Sequence, residues 1–142
     1  MRIAAMQINA NTGEKEIVEK DLSYKIMGIL FGVHSALGGR YQEKYYQRAV
    51  ETGLKHSGLK YAKELEAELN YEGDKIGKYR LDFLVEEKII VELKTVPVLG
   101  REEYRQVKAY LKSSGLRLGI LANFRGPRLQ YKRILNPQKS VK

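Results

Sequence analysis

The sequence predicts an α/β domain with a mixed central sheet flanked by helices, on three observations. Apolar residues recur at helical spacing from Glu14 to about Ser57. Strand-like alternation follows from Lys60 to Thr95. A helical stretch, Arg101 to Ser114, then separates that block from two more apolar runs, Leu116 to Phe124 and Leu129 to Leu135. Strands joined by short turns pair antiparallel, whereas strands joined through a helix pair parallel by a right-handed crossover, so the sheet must be mixed.

The first helix is expected from Glu14, with Ile17, Leu22, Ile26, Leu30, Val33 and Leu37 as its apolar stripe. Asn11 or Thr12 is its cap and Gly38-Gly39 its stop. Residues 1–12 read as a loosely held arm or a short edge strand, since they lack strong periodicity. The second helix runs from about Tyr41 to Ser57, with Tyr41, Tyr45, Ala49 and Leu54 as core candidates. Gly53 within it costs about 1 kcal/mol relative to alanine. His34 and His56 are the two histidines, and neither has the spacing of a metal or triad site, so both read as packing or surface residues.

Lys60 to Tyr71 has helix-forming composition. Yet Tyr61, Leu65, Ala67, Leu69 and Tyr71 hold odd positions against Glu64, Glu66 and Glu68, which predicts a strand with one wet face. Glu72 to Gly77 reads as a turn-rich link. In Tyr79 to Val85 the apolar residues again take odd positions, and Ile89, Val91 and Leu93 continue the pattern. Asp82, Glu92 and Lys94 then fall on the even-numbered face. A three-residue turn at Glu86, Glu87 and Lys88 pairs Val85 with Ile89 and places Asp82 opposite Glu92.

Two carboxylates so placed repel each other, which costs free energy in a half-buried sheet unless a cation lies between them. A hard divalent ion such as Mg2+ suits one or two carboxylates with retained waters. Lys94 would point at the same place. A solvated face, with Lys94 paired to Glu92 or Asp82, explains the same hairpin without an ion.

After the hairpin, Pro97 and Gly100 end the sheet segment. The next helix carries Glu102 and Glu103 in its first turn, Tyr104, Val107 and Leu111 as its apolar stripe, and Gly115 at its end. Gln106 and Tyr110, four apart, share a face. Leu116 to Phe124 reads as a buried strand broken by Gly119, Leu129 to Leu135 as an edge strand, and residues 136–142 as a frayed tail.

At 142 residues the chain is one domain, residues 1–142. It has no cysteine, so disulfides and thiolate zinc sites are excluded, in keeping with a reducing compartment. No apolar run approaches the ~18 residues of a membrane span, and the leader lacks the apolar block of a secretory signal. The expected location is the cytoplasm, with no membrane partner. The net charge is +9. Gly100 to Lys142 holds 11 basic and 2 acidic residues, so the excess falls there, as a polyanion partner would require. Basic surfaces that only confer solubility would look the same.

Asp82, the spacer and Glu92-Leu93-Lys94 resemble the PD-(D/E)XK nuclease superfamily, in which one strand carries an acid and the next carries (D/E)xK. Gln106 and Tyr110 resemble the QxxxY element of its phage-exonuclease-like branch, and Glu43 with Tyr46 resembles the ExxY half of the GxxExxY proteins. Arg40 stands where that motif has glycine, and Leu81 where the PD signature has proline. The resemblance implies a restriction-endonuclease-like αβββαβ core and a Mg2+ (or Mn2+) nuclease. Its ion would be held by Asp82, Glu92, the Leu93 backbone carbonyl and in some arrangements Glu43, with Lys94 assisting the attacking water. Glu43 joins Asp82, Glu92 and Lys94 as a catalytic candidate. Gln106, Tyr110 and Tyr46 would position substrate, and DNA is favoured over RNA. Arg125, Arg128, Lys132 and Arg133 are the candidate nucleic-acid contacts, from the basic segment. A homodimer is compatible with the sequence. A binding module that keeps the fold without cleaving is the second reading.

Overall fold

The computed structural model describes residues 18–137. Its elements are α1 (Lys20–Leu37), α2 (Glu43–His56), β1 (Tyr61–Tyr71), β2 (Asp74–Val85), β3 (Ile89–Lys94), α3 (Arg101–Ser114), β4 (Leu118–Asn123) and β5 (Gln130–Leu135). The strands form one sheet in chain order, antiparallel at every joint except β3–β4, which is parallel across the α3 crossover. This mixed, helix-flanked sheet is the fold class the sequence predicts.

Two apolar layers hold the sheet. On one side α1 and α2 bring Ile26, Leu30, Tyr46, Val50 and Leu54 against Phe83, Val85, Val91, Leu93, Ile120 and Ala122. On the other, Val107 and Leu111 of α3 cover Leu81, Ile90, Leu121 and Ile134. Gly119 does not break β4 but admits α3, since a Cβ there would lie 2.5 Å from Val107 Cγ1. Gly53 does the same between the first two helices, where a Cβ would meet Ile29 Cγ2 at 2.6 Å. Its cost in helix propensity is offset by close packing.

Several expectations need correction. The buried stripe of α2 is Tyr46, Val50 and Leu54, while Tyr41 and Tyr45 are 52% and 42% exposed. Both stripes satisfy i,i+4 spacing and both carry tyrosine; the buried one continues into Val50 and Leu54, and its Tyr46 hydroxyl is satisfied by the Gly38 carbonyl and the Tyr41 N–H. Tyr104 of α3 is likewise exposed, leaving Val107 and Leu111 as that helix's buried residues. The link expected over Glu72 to Gly77 shrinks to Glu72 and Gly73, whose positive φ values of 51° and 85° make a tight hairpin turn. The start of the first helix, its caps at Asn11 or Thr12 and the arm of residues 1–12 lie outside the described residues, and the described helix begins at Lys20. Asn136, expected to fray, is anchored: its side chain donates to the carbonyls of Leu111 and Leu116, both at 2.9 Å.

The largest departure is in β2. Strict alternation put Tyr79, Leu81, Phe83 and Val85 on one face. Instead Tyr79 and Leu81 pack under α3, and Phe83 and Val85 under α1 and α2. The switch falls at Asp82, opposite Glu64 of β1, a non-glycine residue with φ 58°. The β1–β2 ladder also skips there, pairing Lys63 with Phe83 and Leu65 with Leu81. In β1 the left-handed Glu64 itself breaks the period-two rule, so Tyr61 joins the α1–α2 side and Leu65 the α3 side, and β2 changes face at the same level.

Candidate active site

The turn of the central hairpin sets the register. Glu86 and Glu87 take φ 53° and 57°, and the Lys88 N–H donates to the Val85 carbonyl at 2.9 Å. Val85 therefore pairs with Ile89, Leu84 with Ile90 and Phe83 with Val91, as the turn length predicts. Beyond Phe83 the ladder stops and side chains replace it. The Asp82 N–H donates to Glu92 Oε1 at 2.9 Å, and the Leu93 N–H donates to Asp82 Oδ2 at 2.8 Å. The two carboxylates occupy the gap where β2 and β3 part, which satisfies backbone donors that would otherwise be orphaned.

These carboxylates stand in an unusual electrostatic setting. Glu92 is 4% exposed, and burial, with Asp82 beside it, pushes its carboxyl up to about 8. Burial also raises Asp82, although hydrogen bonds from Leu93 and Gln47 and the charge of Lys94 oppose it. Lys94 Nζ lies 3.4 Å from Glu92 Oε2. Burial alone would lower the Lys94 ammonium, but Glu92, Glu43 and Asp82 together hold it above its ordinary value. One lysine thus faces three acids. Such a site favours a proton or a cation over full ionisation.

The third acid comes from α2. Glu43 opens that helix, and burial raises its carboxyl, with Asp82 reinforcing the shift and Lys94 opposing it. Gln47, one turn on, donates from Nε2 to Asp82 Oδ1 at 2.8 Å and to Glu43 Oε2 at 3.3 Å. Gln47 was not singled out in the sequence; its four-residue spacing from Glu43 was the signal available. Glu43, Gln47, Asp82, Glu92 and Lys94 all line one cleft of about 520 Å³, with Lys44, Arg48, Lys63 and Arg80 also on its walls. That volume is in the range of small-ligand sites.

A polar and glycine-rich joint fixes where α2 begins. Tyr46 donates its hydroxyl to the Gly38 carbonyl, His34 Nε2 donates to the Gly126 carbonyl at 3.0 Å, and the Gly126 N–H donates to the Gly39 carbonyl at 3.2 Å. Gly39 is required by contact, because a Cβ there would overlap the Gly126 backbone. Tyr46 is fully buried and stacked on Phe124, with ring centroids 4.6 Å apart. It braces the helix from inside the core and does not line the cleft, in place of the substrate-positioning role expected for it.

Other expected site residues also lie elsewhere. Gln106 and Tyr110 belong to α3, on the other side of the sheet from α2, and do not line the cleft. Tyr110 packs against the α3-side core, and the Gln106 carbonyl accepts a hydrogen bond from the Tyr79 hydroxyl at 3.0 Å. Arg125 and Arg128 are exposed on the loop after β4, whose last residue, Asn123, pairs with Lys94. Lys132 and Arg133 lie on the edge strand β5, where Arg133 donates to the Val18 carbonyl at 2.8 Å.

A mixed sheet whose parting strands hold a half-buried Asp82, a buried Glu92 and a lysine defines a nuclease-like α/β domain. The family model for the PD-(D/E)XK nuclease superfamily matches residues 20–134, and the chain belongs to that superfamily. The crystal structure of SSO0001 superposes with a TM-score of 0.54 at 21% identity, which shows a shared fold. The alignment covers 85% of this chain and 60% of that one, so this chain spans well under two thirds of its length. No curated protein matches significantly.

Proposed function

We propose that this protein is a divalent-metal-dependent nuclease that hydrolyses phosphodiester bonds of DNA, and that it belongs to the GxxExxY branch of its superfamily. The observation that carries this reading is the pair of half-buried Asp82 and buried Glu92, held where β2 and β3 part and open to a cleft. Among the described residues no group of three His, Cys, Asp or Glu side chains converges closely enough to cage an ion. Mg2+ does not require such a cage, since it commonly takes one or two carboxylates and keeps several waters. The raised affinity of Asp82 and Glu92 for protons is the other sign that the pair accepts a cation.

Asp82, Glu92 and the Leu93 carbonyl would hold the ion, Mg2+ or Mn2+, and Glu43, tied to Asp82 by Gln47, could join them. When bound, the ion supplies Lewis-acid polarisation of the phosphate and a more acidic water. The chain's own residues do the rest. Gln47 orients the Asp82 carboxylate, and the Leu93 N–H fixes its second oxygen. Lys94, charged at neutral pH, offsets negative charge gathering on the phosphoryl oxygens and orients the attacking water. Arg125 and Arg128, on the loop adjoining the Lys94 end of the sheet, extend the phosphate path, and Lys132 and Arg133 add longer-range attraction. Among the described residues no helix is long and apolar enough to cross a membrane, and we place the protein in the cytoplasm.

The test is incubation of the purified protein with labelled single- and double-stranded DNA and RNA in Mg2+, Mn2+ or EDTA. Metal-dependent cleavage of DNA, lost in Glu92→Gln, is the expected result. Binding without cleavage under every metal condition would replace the nuclease reading by that of a binding module on the same fold.

A further inference from the structure

Helix α2 carries, at the rim of the cleft, a feature that the hydrolytic site does not use. Tyr45 is 42% exposed, with Lys44 Nζ 5.3 Å and Arg48 Cζ 5.7 Å from its ring centroid. Tyr41, 52% exposed, meets the same ring edge-on at 6.1 Å. Lys44 and Arg48 line the cleft that holds Asp82 and Glu92. Unlike the other cations on its walls, they lack an acidic partner within 4 Å among the described residues. Lys63 is paired with Glu51, Arg80 with Glu64 and Glu66, and Lys94 with Glu92.

We infer that Tyr45, flanked by Lys44 and Arg48, is a stacking platform for one unpaired base of the substrate strand, so that the cleft prefers single-stranded or frayed nucleic acid over intact duplex. This deepens the nuclease reading and rests on it. The chemistry is that of sequence-tolerant single-strand binding: an aromatic face takes the base, and unpaired cations beside it take the flanking phosphates. A base inside a duplex has both faces covered by its neighbours and cannot use such a ring without unstacking. An exposed tyrosine with a cation above it is common on helices, and this molecule has a second one, Tyr104 with Lys108 Nζ 5.6 Å from its ring centroid. Neither residue of that pair lines the cleft, whereas Lys44 and Arg48 beside Tyr45 do, so the α3 pair serves as the internal control.

The experiment measures binding of dT12, U12 and a dT12–dA12 duplex at low salt in EDTA, followed by cleavage of the same oligomers in Mg2+. Tyr45→Ala should weaken dT12 and U12 alike by about tenfold, the usual scale of one base–aromatic stack. Duplex binding should change by less than about twofold, because it rests on phosphate contacts. Tyr45→Phe should bind like the parent, and Tyr104→Ala should leave all three ligands unaffected. Thermal midpoints of the variants confirm that each is folded. Equal losses for single strand and duplex, no loss for either, or a loss confined to U12 would overturn the platform while leaving the nuclease standing. A parent protein that neither binds nor cleaves any of these oligomers would overturn both.

Discussion

Helices α2 and α3 look alike on paper and differ in use. Each has fourteen residues, acid in its first turn, an exposed tyrosine beneath a lysine and a buried aliphatic stripe. Each also carries half of a recognisable motif, Glu43 with Tyr46 on one and Gln106 with Tyr110 on the other. Only α2 reaches the acids. It packs over the side of the sheet where Asp82 turns out of the ladder, and Gln47 ties its first turn to Asp82. In contrast α3 crosses over Ile90 and Gly119, tight against the sheet, where its motif residues meet apolar side chains and a tyrosine. A motif on a helix gains chemistry from the strand position that the helix covers, and its own spacing does not supply that.

The largest expected effects test the acids that α2 serves. Asp82→Asn and Glu92→Gln should each reduce metal-dependent cleavage by about a hundredfold or more, measured with labelled oligomers. Both substitutions keep an acceptor for the backbone N–H that each carboxylate satisfies, so the fold should persist by circular dichroism. Full activity in both variants would break the comparison at its centre.

Next comes the packing of α2 itself. Tyr46→Ala should destabilise the protein by about 3–5 kcal/mol, the usual range for a large buried aromatic. Tyr46→Phe, which loses the hydroxyl's bond to the Gly38 carbonyl and the one it accepts from the Tyr41 N–H, should cost about 1–2 kcal/mol in a denaturant titration. A Tyr46→Ala protein with unchanged stability but impaired cleavage would restore the substrate-positioning role.

Metal-free stability should also depend on pH with a sign fixed by Glu92. Burial and Asp82 push its folded carboxyl up to about 8 from an ordinary 4.5, so between those values the folded state holds a proton that the unfolded chain has released. That stabilisation is fully present below about 4.5 and is lost as pH rises through about 8. The thermal midpoint should fall across this window, fall less in Glu92→Gln, and recover at pH 8 when Mg2+ is added. A midpoint that rises over the same range would contradict the burial of this pair.

The smallest effect is expected on α3. Gln106→Ala should change cleavage by no more than about twofold, in line with substitutions outside the core and the site. A loss near that of Glu92→Gln, with stability intact, would show that substrate wraps to the far side of the sheet and that the two helices share the work.

Much of this was legible in the chain. The length of the Glu86-Glu87-Lys88 turn was enough to set the register from Val85–Ile89 to Phe83–Val91, and so to bring Asp82 beside Glu92 just past it, because register in a hairpin is a local property. The crossover helix Arg101–Ser114 and the β1 strand also followed from periodicity, which short-range backbone geometry enforces. Three features were decided only in three dimensions. The face switch at Asp82 falls opposite a left-handed Glu64 in the neighbouring strand, an irregularity that no local pattern marks. The choice of Tyr46 over Tyr45 as the core residue depends on which tyrosine finds Gly38 and Phe124 once α1 is in place. The bridge from Gln47 to Asp82 spans 35 residues of sequence. Turn length and side-chain period act between near neighbours and can be read along the chain. Burial, desolvation and the meeting of distant charges are set by what packs against each residue, and only the folded structure supplies that.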